Sequence, residues 1–310
     1  MKEILITTSS FGRNNPKYLD SIVELGFRVT LNPYGRKLTE TEVSELIDKH
    51  RPVGMIAGVE PLTQGVLAKA VNLKVISRCG IGLDSVNLEA AQDLGIVVTN
   101  TPDAPTIPVA ELTLGMILTL LRRIHISDAS IRQGKWERPM GGLLHEKTVG
   151  IIGCGRIGSY LAKLLSAFGC RVLGCDLVGQ EGKYYEPVNL DEILLQADVV
   201  TLQLSYSEKN HYIINAERLQ AMKPGALLIN TARGGLVDEE ALYEALKRGH
   251  LGGAALDCFE SEPYSGLLKE LDNVLLTAHI GSYAQEGRQL MEQQAVENLL
   301  HELRRCGVIE

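Results

Sequence analysis

The feature that most constrains the fold is a glycine-rich segment at residues 148–176. An apolar, β-branched run opens it, three glycines follow at G-x-G-x-x-G spacing, and apolar residues then recur at helical intervals. A second apolar run ends in Asp176. The three glycines are Gly153, Gly155 and Gly158. The order of strand, tight turn, helix, strand and acidic residue is typical of a dinucleotide-binding βαβ unit.

The residue types in this segment suit a ligand that contains a pyrophosphate. Glycines let the backbone approach the phosphates, and the predicted helix, which starts at Arg156 and Ile157, directs the N–H groups of its first turn toward them. Asp176 is expected to accept from a ribose hydroxyl and to repel a 2′-phosphate, because Leu177 and Val178 supply no compensating arginine. A glycine pattern alone also occurs in structural turns and in methyltransferase-type nucleotide loops. The flanking strands and the acidic residue favour a dinucleotide, with NAD preferred over NADP.

Composition limits the classes of protein to which the chain can belong. Its 310 residues are enough for two domains, and 45% hydrophobic with 22% charged residues is ordinary for a globular protein. The net charge of −7 argues against nucleic acid or an anionic membrane as a partner. The first residues show no signal-peptide pattern, and no uncharged apolar stretch reaches the length of a membrane span. A cytoplasmic location is therefore expected.

The six cysteines predict neither a disulfide framework nor a metal site. They form no C-x-x-C pair and lie mostly in apolar strands or glycine turns, so they are expected to be reduced, apolar residues. Their positions are Cys79, Cys154, Cys170, Cys175, Cys258 and Cys306.

The rest of the chain alternates strands with helices, which predicts an α/β fold. Strands are expected near residues 4–7, 28–31, 54–57, 74–78 and 96–98, and a capping box of Thr39 with Glu42 opens one helix. A proline-rich stretch at residues 99–108 indicates a domain boundary, and a long apolar helix is predicted at residues 109–131. Beyond the glycine loop, four more strands are expected near residues 199–204, 226–230, 254–256 and 274–277. With the two strands that flank the loop they make six, the number in a full doubly wound dinucleotide-binding domain. A helix at residues 283–304 closes the chain.

Three polar residues follow predicted strands, where doubly wound sheets bind their ligands. They are Arg233, Glu262 and His279. Taken singly, Arg233 is equally compatible with a surface ion pair, Glu262 with an ordinary loop carboxylate, and His279 with a hydrogen-bonded residue at a strand end. Together they supply a guanidinium for a substrate carboxylate, an imidazole for acid–base chemistry, and a carboxylate that orients the imidazole.

At these residues the sequence resembles the D-isomer-specific 2-hydroxyacid dehydrogenases, most closely their phosphoglycerate dehydrogenase-like branch. Matching motifs run along nearly the whole chain, at residues 75–84, 109–113, 134–136, 230–238, 256–263 and 278–282 and in the glycine segment. The resemblance implies two doubly wound parallel-sheet domains. Residues 99–284 would form the Rossmann NAD-binding domain, and residues 1–98 with 285–310 a discontinuous, flavodoxin-like substrate domain. It also implies that the helix after Pro108 forms a homodimer interface.

The resemblance further implies roles for individual residues. Arg233 would bind the carboxylate and the carbonyl oxygen of the substrate, His279 would exchange the hydroxyl proton, and Glu262 would hydrogen-bond His279. The residues that would line the nicotinamide side are Thr231, Ala232, Asp257, Gly281 and Ser282. Backbone N–H groups of a glycine-rich loop would hold the substrate carboxylate. The substrate-binding residues expected there are Arg78, Cys79, Gly80, Ile81 and Gly82.

Two positions depart from the family pattern. Gln203-Leu204-Ser205-Tyr206-Ser207 stands where the family often has His-x-Pro-Leu-Thr, and Leu204 and Ser205 of this segment are still expected at the cofactor cleft. Pro108 stands where a serine is common. Both departures concern cofactor contacts rather than the chemistry.

The predicted function is NAD-dependent interconversion of a D-2-hydroxy acid and its 2-oxo acid. The substrate 3-phosphoglycerate is one candidate, because Arg13, Arg36 and Arg78 are available to meet a phosphate, although solvated surface charge explains them equally well. The alternative is an NAD-sensing binding protein like the transcriptional corepressors that share this fold.

Overall fold

The computed structural model describes residues 1–13, 15–176 and 182–309. The chain divides into two compact units, Met1–Pro105 with Ser282–Glu310 and Thr106–Gly281. Each unit contains a parallel sheet with helices, which confirms the predicted α/β fold class. Leu177 and Val178, which bear on the choice between NAD and NADP, lie outside the described residues.

The sheet of the first unit has five described parallel strands in the order β2-β1-β3-β4-β5, which is the flavodoxin-like order. The strands are β1 (Glu3–Ile6), β2 (Arg28–Leu31), β3 (Gly54–Ala57), β4 (Val75–Arg78) and β5 (Val97–Asn100). The helices are α1 (Lys17–Glu24), α2 (Glu40–His50), α3 (Gln64–Leu67), α4 (Leu88–Asp93) and α11 (Gln285–Arg305). The three central strands are fully buried, as expected where helices cover both faces of a parallel sheet.

Side-chain hydrogen bonds fix the ends of these elements. In the capping box of α2, the backbone N–H of Glu42 donates to Thr39 Oγ1 (3.3 Å) and that of Thr39 donates to Glu42 Oε2 (2.9 Å), as the sequence predicts. Helix α11 returns from the far end of the chain, and its Ala295 carbonyl accepts from Ser77 Oγ in β4 (2.7 Å). The first unit is therefore discontinuous in sequence.

The sheet of the second unit follows the Rossmann pattern, with seven described strands in the order β12-β11-β10-β9-β6-β7-β8. The strands are β6 (Thr148–Ile152), β7 (Arg171–Cys175), β8 (Glu186–Pro187), β9 (Val199–Leu202), β10 (Leu227–Asn230), β11 (Gly253–Leu256) and β12 (Val274–Leu276). Its helices are α5 (Thr106–Leu121), α6 (Ile124–Arg132), α7 (Arg156–Ala167), α8 (Leu190–Gln196), α9 (Ala216–Ala221) and α10 (Glu239–Lys247). The two-residue edge strand β8 is additional to the six strands predicted, because so short an exposed strand carries no periodic signal.

The prediction of a single long helix at residues 109–131 is wrong, because the structure has two helices there, α5 and α6. The break lies at Arg123, whose backbone φ of 52° is left-handed. Helix α5 packs against α7, and both contribute to one apolar cluster with Met116, Ile117 and Leu161. None of the described helices combines the length and the apolar character that crossing a lipid bilayer requires.

Candidate active site

In the glycine loop between β6 and α7, two glycines lie so close to neighbouring backbone that a side chain has no room. Gly153 has a φ of 99°, and a Cβ there would lie 2.6 Å from the carbonyl carbon of Gln203. A Cβ on Gly158 would lie 2.0 Å from the carbonyl oxygen of Gly153. Neither position therefore accommodates a side chain without moving the backbone. These two glycines hold the first turn of α7 against the end of β6.

Gly155 differs from its neighbours, because a Cβ there would meet nothing within 4 Å. It is the N-cap of α7 and has no side chain with which to cap the first turn, which Arg156 and Ile157 begin. A helix N-terminus that starts at an open glycine is suited to a phosphate. Asp176, half-buried at the end of β7, accepts from the backbone N–H of Cys154 through Oδ2 (2.7 Å). The loop, the helix and the carboxylate thus fit a dinucleotide.

A polar network that the sequence did not reveal joins β9, β10 and α5. Gln203 Nε2 donates to the hydroxyls of Thr201 (3.0 Å), Thr231 (2.9 Å) and, more weakly, Thr113 (3.3 Å). The hydroxyls of Thr113 and Thr231 are themselves 2.8 Å apart. Gln203 thereby fixes the turn that continues into Leu204, which is half-buried, and Ser205, which is exposed. The departure from the family pattern marked this segment in the sequence, but only the structure shows which hydroxyls Gln203 contacts.

His279 and Glu262, which the sequence predicts to be an acid–base pair, are in contact in the structure. His279 follows β12 with a left-handed φ of 53°, and its Nδ1 lies 3.1 Å from each carboxylate oxygen of Glu262. Glu262 Oε1 also accepts from the backbone N–H of Phe259 (3.2 Å). With Nδ1 facing the carboxylate, the opposite ring nitrogen, Nε2, is directed away from Glu262 and is the one suited to exchange a proton with a ligand.

Asp257 holds the loop that carries His279. It is fully buried, and its Oδ1 accepts from Thr277 Oγ1 (2.5 Å) and from the backbone N–H of Ile280 (2.8 Å). Asp257 Oδ2 accepts from the backbone N–H of Gly281 (2.7 Å), and the backbone carbonyl of Asp257 accepts from the backbone N–H of His279 (2.8 Å). The structure thus gives Asp257 a positioning role in addition to the predicted cofactor contact. Ser282 follows directly and begins the second segment of the first unit.

Arg233 lies in a tight turn after β10. The side chain of Asn230 holds this turn: its Nδ2 donates to the carbonyl of Arg233 (2.8 Å), and its Oδ1 accepts from the backbone N–H of Ala232 (3.1 Å). Arg233 Nη1 in turn donates to the carbonyl of Ala232 (2.8 Å). A Cβ on Gly234 would lie 1.9 Å from the carbonyl carbon of Phe259. Gly234 therefore lets the turn with Arg233 pack directly on the loop that leads to Glu262.

In the first unit, the loop after β4 is partly committed to internal hydrogen bonds. The backbone N–H of Cys79 donates to the carbonyl of Ala57 (2.9 Å), and that of Gly80 donates to Thr101 Oγ1 (2.8 Å). Among the described residues, no hydrogen-bond partner is recorded for the N–H groups of Ile81 and Gly82. Of the predicted donors to a substrate carboxylate, these two remain available.

The arginines considered for a phosphate are in different environments. Arg36 forms an ion pair at 2.6 Å with Glu42 in the first turn of α2, and this contact lowers the pKa of the partly buried Glu42 carboxyl to about 2. Arg78 is buried, and its Nη1 donates to the carbonyl of Cys79. Arg13 is exposed. Two of the three side chains therefore have structural partners.

Glu60 is a buried carboxyl that the sequence did not single out. Only 1% of the residue is exposed, and it accepts from Thr7 Oγ1 and from the backbone N–H of Gly58 (3.0 Å). Burial raises its pKa above the ordinary value for a glutamate. Thr7 and Gly58 directly follow β1 and β3, so Glu60 links the carboxyl ends of two neighbouring strands.

Comparison with known proteins decides the family. The model of the D-isomer specific 2-hydroxyacid dehydrogenase family, NAD binding domain, matches residues 114–281. The chain belongs to this family. The glycine loop, Asp176 and the pair of Glu262 with His279 all lie in the matched region, so the cofactor of the second unit is NAD.

Individual relatives carry different names. The chain is 41% identical over 275 residues to D-3-phosphoglycerate dehydrogenase from Methanocaldococcus jannaschii, covering 86% of this chain and 52% of that protein. It is 43% identical over 248 residues to glyoxylate reductase from Thermofilum pendens, covering 76% of this chain and 73% of that protein. The chain thus spans about half the length of the phosphoglycerate dehydrogenase it matches.

A solved structure matches the chain over nearly its whole length. The D-lactate dehydrogenase from Aquifex aeolicus, complexed with NAD and lactic acid, superposes with a TM-score of 0.85 at 30% identity and covers 98% of this chain and 96% of that one. The predicted family, the fold and the cofactor are therefore confirmed.

Proposed function

We propose that this protein is an NAD-dependent D-2-hydroxyacid dehydrogenase, and the contact of His279 Nδ1 with both carboxylate oxygens of Glu262 carries the proposal. When bound, NAD supplies hydride exchange with the carbon that bears the hydroxyl. His279 Nε2 takes the hydroxyl proton during oxidation and returns it during reduction. Glu262 accepts from Nδ1 and so holds the ring in one orientation.

Arg233 binds the substrate carboxylate and the developing carbonyl oxygen, since a guanidinium offers paired N–H donors of fixed geometry. In the first unit, the N–H groups of Ile81 and Gly82 take the predicted role of carboxylate donors. Among the cofactor residues, the first turn of α7 binds the pyrophosphate and Asp176 binds the adenosine ribose.

We infer that the substrate pair is a small, unphosphorylated 2-hydroxy acid and its 2-oxo acid rather than 3-phosphoglycerate and its oxo acid. The ion pair of Arg36 with Glu42 and the bond of Arg78 to the Cys79 carbonyl leave Arg13 as the remaining candidate of the three for a phosphate. The similarity to a glyoxylate reductase supports a small acid, whereas the similarity to a phosphoglycerate dehydrogenase supports the other choice.

The direct test mixes the protein with NADH and a panel of 2-oxo acids while the nicotinamide absorbance is followed. The panel contains glyoxylate, hydroxypyruvate, pyruvate and 3-phosphohydroxypyruvate. We expect oxidation of NADH, with kcat/KM higher for the unphosphorylated acids. A preference for the phosphorylated acid would reverse the inference on substrate class. Tight NADH binding without turnover of any acid would favour the corepressor-like alternative.

The acid–base assignment is tested by His279→Gln. We expect kcat to fall by about 10² to 10⁴ in both directions, the usual effect of losing a general acid–base group, while NADH binding is retained. His145→Gln is the matched control, because the His145 side chain is 65% exposed and hydrogen-bonds the Phe168 carbonyl instead. Full activity of His279→Gln would show that another group transfers the proton.

We also propose that the protein is a homodimer. Much of α5 packs within its own unit, through Val109, Met116 and Leu120. A cluster of exposed apolar side chains lies further along the chain, where Trp136 is 82% and Met140 is 89% exposed. Large apolar side chains that lie so close in sequence and are so exposed mark an interaction surface, and a second copy of the chain is the occupant we propose.

A further inference from the structure

Cys258 lies beside the acid–base pair. Its Sγ, a carboxylate oxygen of Glu262 and a ring nitrogen of His279 all lie within 4.8 Å of one another. Cys258 is 2% exposed, whereas 25% of the Glu262 side chain and 35% of the His279 side chain are accessible. The cluster therefore has a buried sulfur at its base and an open side.

The three donors form a ligand set that suits a thiophilic divalent cation. Zinc binds sulfur at about 2.3 Å and nitrogen or oxygen at about 2.0 to 2.2 Å, so neighbouring donors around a tetrahedral ion lie about 3.3 to 3.8 Å apart. His279 Nδ1 and Glu262 are already 3.1 Å apart. Small side-chain adjustments bring all three donors to these distances and leave a fourth position for water.

We propose that Cys258, Glu262 and His279 form an inhibitory site for Zn²⁺. Binding displaces the thiol proton of Cys258 to solvent. The metal also takes the place of the proton on Nδ1 of the neutral imidazole, and that proton is regained on Nε2, so one proton is released in all and no electron is transferred. With Nε2 protonated, the imidazole has no lone pair with which to accept the hydroxyl proton of a substrate. The site thus goes beyond the proposed dehydrogenase activity and inhibits its oxidation direction.

Cys258 decides whether this is a metal site. A glutamate with a histidine is an ordinary acid–base pair, and two ligands alone hold zinc weakly. A thiolate supplies the soft third ligand that selects zinc over magnesium or calcium. None of the six cysteines forms a disulfide in the structure, and among the described residues Cys258 is the one grouped with a histidine and a carboxylate.

The binding experiment uses Co²⁺ as a spectroscopic substitute for Zn²⁺. We expect one equivalent of Co²⁺ to produce a thiolate-to-cobalt charge-transfer band in the parent, and Zn²⁺ to displace it. The band should be absent in Cys258→Val and Cys258→Ser, two variants of similar volume that guard against a folding defect in one of them. Cys306→Ser, which removes an exposed thiol, should retain it. A band that persists in the Cys258 variants would overturn the proposal.

The functional experiment measures Zn²⁺ inhibition of hydroxy-acid oxidation, with each variant normalised to its own metal-free rate. We expect inhibition of the parent that a chelator reverses, and at least about a 100-fold higher inhibitory concentration for Cys258→Ser, since even outer-shell changes cost 10- to 100-fold in metal affinity. Equal inhibition of both proteins would contradict the proposal. If no acid is turned over, the proposed function fails, but the Co²⁺ titration still decides the metal site.

Discussion

Asp257 and Glu262 follow the same strand, yet their carboxylates have different roles. Asp257 is fully buried and accepts from three donors of the loop before and after His279, so it fixes backbone. Glu262 is partly accessible and faces the His279 ring, so it fixes a side chain. Loss of the Asp257 carboxylate would leave buried donors unpaired, whereas loss of the Glu262 carboxylate would, in the proposed function, alter proton transfer by His279.

Asp176 should determine the choice of cofactor. Asp176→Ala removes a carboxylate that accepts from the ribose, so NAD binding should weaken by about 1.5 to 3 kcal/mol and the preference over NADP should narrow. Because Asp176 also accepts from the N–H of Cys154, Asp176→Asn is the matched control that keeps an acceptor but removes the charge. Both variants are compared with the parent by kcat/KM for the two cofactors. An unchanged ratio in both would exclude Asp176 from this role.

Glu60 should make stability depend on pH in the opposite sense to a paired surface carboxylate. Burial raises its folded-state pKa, so the folded protein holds the proton more tightly than the unfolded chain does. Its contribution to stability is therefore present at low pH and is lost as pH rises from about 4.5, the unfolded value, through the folded pKa.

Glu60→Gln removes this titration while keeping the size of the side chain. We measure the free energy of unfolding of parent and variant by urea denaturation at pH 4 and at pH 7. The value for the variant minus the value for the parent should be larger at pH 7 than at pH 4, because only the parent loses the contribution of Glu60. Glu42→Gln is the control with the reverse sign, because the pKa of Glu42 is lowered by Arg36. A parent-to-variant difference that does not change with pH would show that Glu60 does not titrate in this range.

At the scale of elements, α7 and the loop before it separate folding from binding. A Cβ at Gly158 meets the Gly153 carbonyl at 2.0 Å, so Gly158→Ala should destabilise the protein by about 1 to 3 kcal/mol through overpacking. A Cβ at Gly155 meets no protein atom within 4 Å, so Gly155→Ala should leave the Tm nearly unchanged but weaken NADH binding by crowding the pyrophosphate. Thermal unfolding and NADH fluorescence distinguish the two effects. Unimpaired NADH binding in Gly155→Ala would place the pyrophosphate elsewhere.

The break between α5 and α6 is a second feature of this scale. Apolar periodicity continues across residues 109–131, but Arg123 adopts a left-handed backbone and starts a new helix. The exposed apolar side chains Ile124 and Ile131 lie on α6, and the chain continues from there to Trp136. The change of chain direction at Arg123 thus separates α5, which packs against the sheet, from the exposed apolar residues around Trp136, where we propose that the second subunit binds.

At the scale of the whole molecule, the proposed dimer should depend on Trp136. Light scattering at micromolar concentration should give twice the mass of one chain, and Trp136→Glu should give a single chain, because a charge in a buried apolar interface is costly. Leu195→Glu is the matched control, since Leu195 is also well exposed but lies on α8. A monomeric parent, or a dimer that survives Trp136→Glu, would exclude this interface.

Local sequence determined the elements that depend on neighbouring residues. The spacing of Gly153, Gly155 and Gly158 predicted the nucleotide loop, because a turn of this shape is set within a few residues. Thr39 with Glu42 predicted a capping box for the same reason. The alternation of apolar strands and amphipathic helices predicted the α/β fold, since burial on both faces of a parallel sheet leaves a pattern that can be recognised in sequence.

Tertiary structure alone decided which distant residues meet. Cys258 and His279 are separated by a further strand, Gln203 reaches Thr113 and Thr231, and the N–H of Gly80 is taken by Thr101. No periodicity encodes these pairs, because each depends on where whole strands and loops are placed in the fold. The same holds for the buried carboxyl of Glu60 and for the left-handed turn at Arg123. The sequence thus determined the kind of site this protein has, and packing decided which of its donors remain available to a ligand.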